Sequence, residues 1–220
     1  MTSWQTAVVE QSRLYSPIGL RLVDELTGQA PLGKTEAQLD ILDSSGTWRQ
    51  TDLQAVRTPS GVVAYPGLEF HADATSLLPR HYRVRLLADL YVPLYRRNSA
   101  GIEFDAYPYD AVHPPQVVVQ MAQDAILTPA PNYPFSAHIP VLRGVVVDPA
   151  GNPVPDAVVT QGVSERVLTD SRGTFALPLR WAQQNVPVPI DAADERSGRV
   201  GTIQINLPGA LGKSQKIPIS

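Results

Sequence analysis

Proline is the feature that most restricts this chain. Twenty-one prolines and 15 glycines are scattered through 220 residues, and each proline removes a backbone donor and clashes with a preceding helical turn. Few stretches are left that could form an unbroken helix. Strands and turns must therefore carry the fold, and the hydrophobic fraction of 43% is enough to give such a fold a core. The length allows one large domain or two of ordinary size.

The same sequence narrows the chemistry. There is no cysteine, so neither a disulfide framework nor a thiolate site can exist. A net charge of -3 with interspersed signs lacks the basic stripe expected of a nucleic-acid binder. Lys34, Lys213 and Lys216 are its lysines; the other basic residues are arginines, whose planar forks suit protein interfaces. No basic start with an apolar core opens the chain, and no apolar stretch is long enough to span a membrane. The expectation is cytoplasmic synthesis without a signal peptide.

Period-two alternation marks the strands. Ile18, Leu20 and Leu22 alternate with Gly19, Arg21 and Val23. Residues 37–43 alternate, turn at Asp43-Ser44-Ser45-Gly46 and resume at Thr47, which is a hairpin pattern. Further strands are predicted at 61–65, 82–88 and 115–121. Between 127 and 140, closely spaced prolines predict a semi-rigid extended linker. Strands are predicted again at 141–147, 157–161, 167–169, 174–179, 186–190 and 200–207. The expected organisation is an N-terminal arm (1–14), a β-sandwich (15–126), the Pro-rich linker (127–140) and a second β-sandwich (141–220). The fold class is all-β, two tandem Ig-like or transthyretin-like sandwiches.

The halves echo each other. Val23-Asp24-Glu25-Leu26-Thr27-Gly28 recurs as Val147-Asp148-Pro149-Ala150-Gly151, and the turn ending in Gly61 recurs around Gly173. The paired glycines are 33 residues apart in the first half and 22 in the second, which predicts related units with an insertion in the first.

The second half carries a longer pattern: Leu142-Arg143-Gly144-Val145-Val146-Val147-Asp148-Pro149-Ala150-Gly151-Asn152-Pro153-Val154-Pro155, then Thr169-Asp170-Ser171-Arg172-Gly173-Thr174-Phe175. This resembles the carboxypeptidase regulatory-like family over residues 141–220. The resemblance implies a transthyretin-like or Ig-like sandwich and an accessory role, with no peptidase domain. Gly151 and Gly173 suit positive φ, Asp148 and Asp170 suit turn capping, and Ala157, Val159, Phe175 and Leu177 are expected to point inward.

Motifs of catalysis are missing from the pattern. His71, His81, His113 and His138 begin no metal-ligand pair. Ser44, Ser45, Ser60 and Ser171 sit in predicted turns without a nucleophile elbow. No cofactor, metal or catalytic residue is expected. The candidate interaction residues are Trp4, Tyr91, Tyr95, Arg96, Arg97, Tyr107 and Tyr109, types favoured at interface hot spots. Arg83 and Arg85 share one strand face, expected to be wet. The sequence thus points to a non-enzymatic structural protein of a large cytoplasmically assembled complex, such as a phage tail or contractile injection system. Its partners would be other structural proteins, with self-association left open. The alternative is a surface or carbohydrate-binding module with Tyr91, Tyr95, Tyr107 and Tyr109 as a stacking platform.

Overall fold

The computed structural model describes residues 14–72, 74, 78–93, 100–117, 121–163, 165–182 and 185–220. The protein is all-β. Its strands are β1 (Gly19–Asp24), β2 (Thr35–Leu42), β3 (Trp48–Gln54), β4 (Val56–Arg57), β5 (Val62–Ala64), β6 (Arg80–Ala88), β7 (Tyr91–Pro93), β8 (Ile102–Ala106), β9 (Gln123–Pro129), β10 (Val141–Val147), β11 (Val158–Gln161), β12 (Glu165–Leu168), β13 (Thr174–Pro178), β14 (Pro187–Asp194), β15 (Arg199–Asn206) and β16 (Gln215–Pro218). They form four sheets in the orders β4-β5-β1-β9-β7, β3-β2-β6-β8, β13-β10-β16 and β12-β11-β14-β15. The one helical element among the described residues is a single 3-10 turn, Gly209–Gly212.

Two compact units are present. The first comprises Gln38–Val84, Glu103–Gln123 and the described part of Met1–Arg21; the second comprises Leu22–Ala37, Arg85–Ile102 and Asp124–Ser220. In the first, β1 and β5 pair antiparallel from Gly19↔Ala64 to Arg21↔Val62. Ile18, Leu20, Val63, Tyr65, Tyr82, Val84, Ala106 and Tyr109 are buried there.

In the second unit, sheets β13-β10-β16 and β12-β11-β14-β15 enclose one apolar core. Ala157, Val159, Phe175 and Leu177 belong to it together with Leu142, Ile190 and Ile217, the pattern that alternation along each strand dictates. Strand β14 shows how proline is accommodated. Val188, Ile190 and Ala192 point inward while Pro187 and Pro189 point out, and the β11 register against β14 reaches only Asp191. The two prolines thus lie beyond the reach of β11, on the part of β14 that pairs with β15 alone, opposite Asn206 and Gln204.

Two glycines set the closest backbone contacts of this unit. A Cβ on Gly144 of β10 would collide with the Gln215 carbonyl and the Phe175 ring, and one on Gly201 of β15 with the Pro218 carbonyl. Strand β16 runs parallel to β10, Gly144↔Gln215 to Val147↔Pro218. Ile219 then donates to the Val147 carbonyl at 2.9 Å, and Ser220 to that of Val200 at 3.1 Å.

One turn recurs four times. In 43–47, 58–62, 148–152 and 170–174 the amide of the first residue donates to the carbonyl of the fifth, and the glycine at the fourth donates to the carbonyl of the first, all at 2.8–3.0 Å. In each, a side-chain oxygen of Asp43, Thr58, Asp148 or Asp170 also accepts the amide of the fifth residue, at 2.8–3.1 Å. The glycines have φ between 68° and 86°, the left-handed conformation that closes a short hairpin loop. The related turn at Asp24 is one residue longer, with Gly28 donating to the Asp24 carbonyl at 2.8 Å.

The strand predicted at 115–121 is not where the ladder forms. Residues 115–117 are irregular, 118–120 lie outside the described residues, and the strand is β9 at Gln123–Pro129. Pro114 and Pro115 interrupt the earlier stretch. The segment expected to be a linker starts as the end of β9, with Leu127 and Thr128 buried, and Ala130 and Tyr133 are buried beyond it.

Two predictions follow from these contacts. Gly144→Ala and Gly201→Ala should each lower stability in urea unfolding by about 1–3 kcal/mol or more from overpacking, whereas Gly209→Ala, which meets nothing within 4 Å, should change it by less than about 0.5 kcal/mol. In the 43–47 hairpin, the Ser45 hydroxyl and then the Thr47 amide hold the Asp43 carboxyl down to about 2. A depressed carboxylate stabilises above its unfolded pKa near 4 and loses that contribution as pH falls through 2. An NMR titration of the Asp43 side chain should find that midpoint, and Ser45→Ala should move it upward.

Candidate functional site

Each tyrosine of the expected interaction set that the structure describes is at least half-buried. Tyr91 is 4% exposed and Tyr109 1%, and Tyr107 is half-buried. Trp4, Tyr95, Arg96 and Arg97 lie outside the described residues. Of the four tyrosines expected to form a stacking platform, Tyr91 and Tyr109 lie in the interior, where their hydroxyls find partners.

Tyr91, at the start of β7, works with Tyr133 on one buried carboxylate. Tyr133 donates to Asp24 Oδ2 at 2.7 Å and Tyr91 donates to the same oxygen at 3.1 Å. Asp24 Oδ1 accepts the Leu26 amide at 2.8 Å and the Thr27 amide at 3.4 Å, and Tyr91 accepts the Leu32 amide at 2.8 Å. The rings meet edge to face with centroids 5.5 Å apart. Burial first, and Asp24 next, pushes the Tyr133 hydroxyl well above its ordinary range. All of this lies within the second unit.

In the first unit, Tyr109 is fastened to the backbone of Tyr15, accepting its amide at 3.0 Å and donating to its carbonyl at 3.2 Å. Tyr15 and Phe70 both contact the ring edge to face, with centroids 5.4 Å away. Beside it, Glu69 takes a positive φ of 63°, a conformation that costs on the order of 1–3 kcal/mol in a non-glycine residue. Its buried carboxylate accepts the Tyr82 hydroxyl and lies 2.8 Å from His71 Nε2 and 3.6 Å from Arg80 Nη1. A Tyr–Glu–His chain thus runs from the core to the surface.

Arg83 departs from the wet-face expectation. Its guanidinium is 14% exposed and donates to Asp40 Oδ2 from Nε at 3.0 Å and Nη2 at 2.7 Å. It stacks 4.4 Å over the Trp48 ring. The Asp40 side chain is 2% exposed, so a polar residue between Leu39 and Ile41 was the available sign of an internal partner. Next to this pair, His81 Nδ1 is 2.8 Å from Asp105 and Nε2 is 3.4 Å from Glu103. These contacts, Asp105 foremost, raise the His81 pKa. His113 reads the Asp110 carboxylate at 2.9 Å. Among the described residues, no three His, Asp or Glu groups converge as metal ligands.

The surface that the sequence reading passed over is at the second unit's loops. Trp181, which follows β13, is 72% exposed, and Val163 in the β11–β12 turn is fully so. Trp181 follows Arg180, which grips buried Glu165 with two bonds of 2.8 and 3.0 Å. A tryptophan in a short loop, outside any alternating strand, was the signal available for it.

The fold is that of an all-β protein of sandwich type, in which the buried carboxylates of Asp24, Asp40 and Glu69 each have donors from the chain while the buried Tyr65 hydroxyl has none. Compared with protein-family models and with curated proteins, the sequence finds no match in either.

The Asp24 cluster yields a test. Asp24→Ala leaves two buried hydroxyls and two amides without their acceptor and should cost about 3–5 kcal/mol in chemical unfolding; Tyr133→Phe should cost about 1–2 kcal/mol. Near-equal small losses would show that the carboxylate is not the hub.

Proposed function

We propose that the chain is a non-enzymatic structural module of a large multi-protein assembly, of the kind found in phage tails and contractile injection systems. The observation that carries this reading is the use of the polar side chains. Asp24, Asp40, Glu69 and Asp110 each bind groups of the chain itself. Carboxylates saturated in this way stiffen a scaffold. Residues 141–220 are read as a carboxypeptidase regulatory-like accessory domain, supported by the capped turns at Asp148 and Asp170 and by the two-sheet core around Phe175. Sandwiches of this type act as spacers and adaptors by analogy of fold.

The alternative of a glycan-binding module loses its tyrosine platform to burial of Tyr91 and Tyr109. The deciding experiment purifies tagged protein from its native cells, sizes it and identifies what accompanies it. Tube, sheath or baseplate proteins in fixed ratio are the expected result; a lone monomer that binds a glycan array would overturn the reading.

A further inference from the structure

Strand β8 ends the sheet order β3-β2-β6-β8, and β6 is its neighbour there. One face of this pair is apolar: Phe104 stacks on Tyr82 with centroids 5.8 Å apart, and Ala106 is fully buried. On the other face, Glu103 and Asp105 alternate with those residues and meet His81 of β6. The imidazole lies between the two carboxylates, with Nδ1 2.8 Å from Asp105 Oδ1 and Nε2 3.4 Å from Glu103 Oε2.

This arrangement calls for a proton. A neutral imidazole has one N–H and one bare lone pair, so it can donate to one carboxylate and must turn the lone pair toward the other; the imidazolium donates from both nitrogens. Among the described residues, the charges within hydrogen-bonding reach of the ring are these two carboxylates. On its own strand, Arg80 turns toward Glu69 at 3.6 Å, Arg83 is held by Asp40 of β2 at 2.7 Å, and Arg85 follows two residues further on. From β3, the Trp48 ring lies 5.4 Å from the imidazole, while Arg49 pairs with Asp43 at 2.6 Å. Asp105 foremost, and Glu103 after it, raise the His81 pKa against the opposing effect of burial.

We propose that His81 is a proton-operated clasp on the sheet edge, closed while the imidazolium bridges Glu103 and Asp105 and loosened when the ring is neutral. The sign follows from linkage. A group whose folded pKa lies above its unfolded value contributes stability that is complete below the unfolded value, about 6.5 for histidine, and is lost as pH rises through the folded value. The clasp therefore releases on the alkaline side, opposite to the Asp43 hairpin, which weakens in acid. The side chains of His81, Asp105 and Glu103 are 37%, 55% and 41% exposed, so water and salt screen the contacts. Release loosens one edge strand and leaves its apolar face packed.

The test uses the full chain. An NMR titration of the His81 ring, assigned by the signal missing from His81→Gln, is expected to give a midpoint above 6.5, and Glu103→Gln with Asp105→Asn should bring it down. Amide exchange of Glu103, Phe104 and Asp105, corrected for the intrinsic pH dependence of exchange, is then compared at pH 6 and pH 8.5. Protection is expected to fall about 1.5- to 5-fold at the higher pH, the range of a partly exposed ion pair, while Leu39 in β2 of the same sheet keeps its protection. The carboxylate variant should show no such fall, and neither should His81→Gln. A midpoint at or below 6.5, protection that is unchanged between the two pH values, or an equal fall in the carboxylate variant overturns the inference.

Discussion

A side-chain oxygen that accepts the amide four residues further on recurs at Asp43, Thr58, Asp148 and Asp170, and the hairpins of both units depend on it. Strand pairing needs the chain to reverse within a few residues, and a short reversal leaves amides without partners. The oxygen satisfies one of them and the left-handed glycine places the next strand in register. Register matters because slipping by one residue would turn each strand's apolar face to water. For β14 that would expose Val188, Ile190 and Ala192, which alternate with outward-facing residues along the strand.

Burial of carboxylates is the second theme. Asp24, Asp40 and Glu69 are all under one-tenth exposed, and a buried charge without partners would be far more costly than any one hydrogen bond returns. Each is surrounded by donors of fixed direction: two tyrosines for Asp24, a guanidinium for Asp40, and a tyrosine with a histidine for Glu69. Tyr91, Tyr133 and Tyr82 supply apolar bulk together with the hydroxyl that Asp24 or Glu69 accepts, which accounts for these three being internal.

Much of the fold could be read from the sequence, since period-two alternation and the Asp-x-x-Gly turns are local. Strands β1, β2, β10 and β14 lie close to where alternation puts them. The strand expected from 115 is not formed at 115–117, because alternation does not register the proline pair at 114 and 115. The candidate site was less legible. Tyr91, Tyr109 and Arg83 have the composition of an interface, and only tertiary contacts with Asp24, Tyr15 and Asp40 decide that they face inward. Residue type alone does not distinguish a tyrosine that anchors a partner from one that anchors its own chain.

The parallel pairing of β16 with β10 has a consequence for synthesis. β10 is translated well before the strand that completes its sheet, since Val147 and Gln215 are 68 positions apart. At about 5–20 residues per second, β10 spends roughly 3–14 s outside the ribosome with one edge unpaired. During that interval the edge next to Val145 and Val146 is open to any extended segment nearby. The order in which strands emerge therefore leaves this edge of β10 without its native partner until the last strand is made.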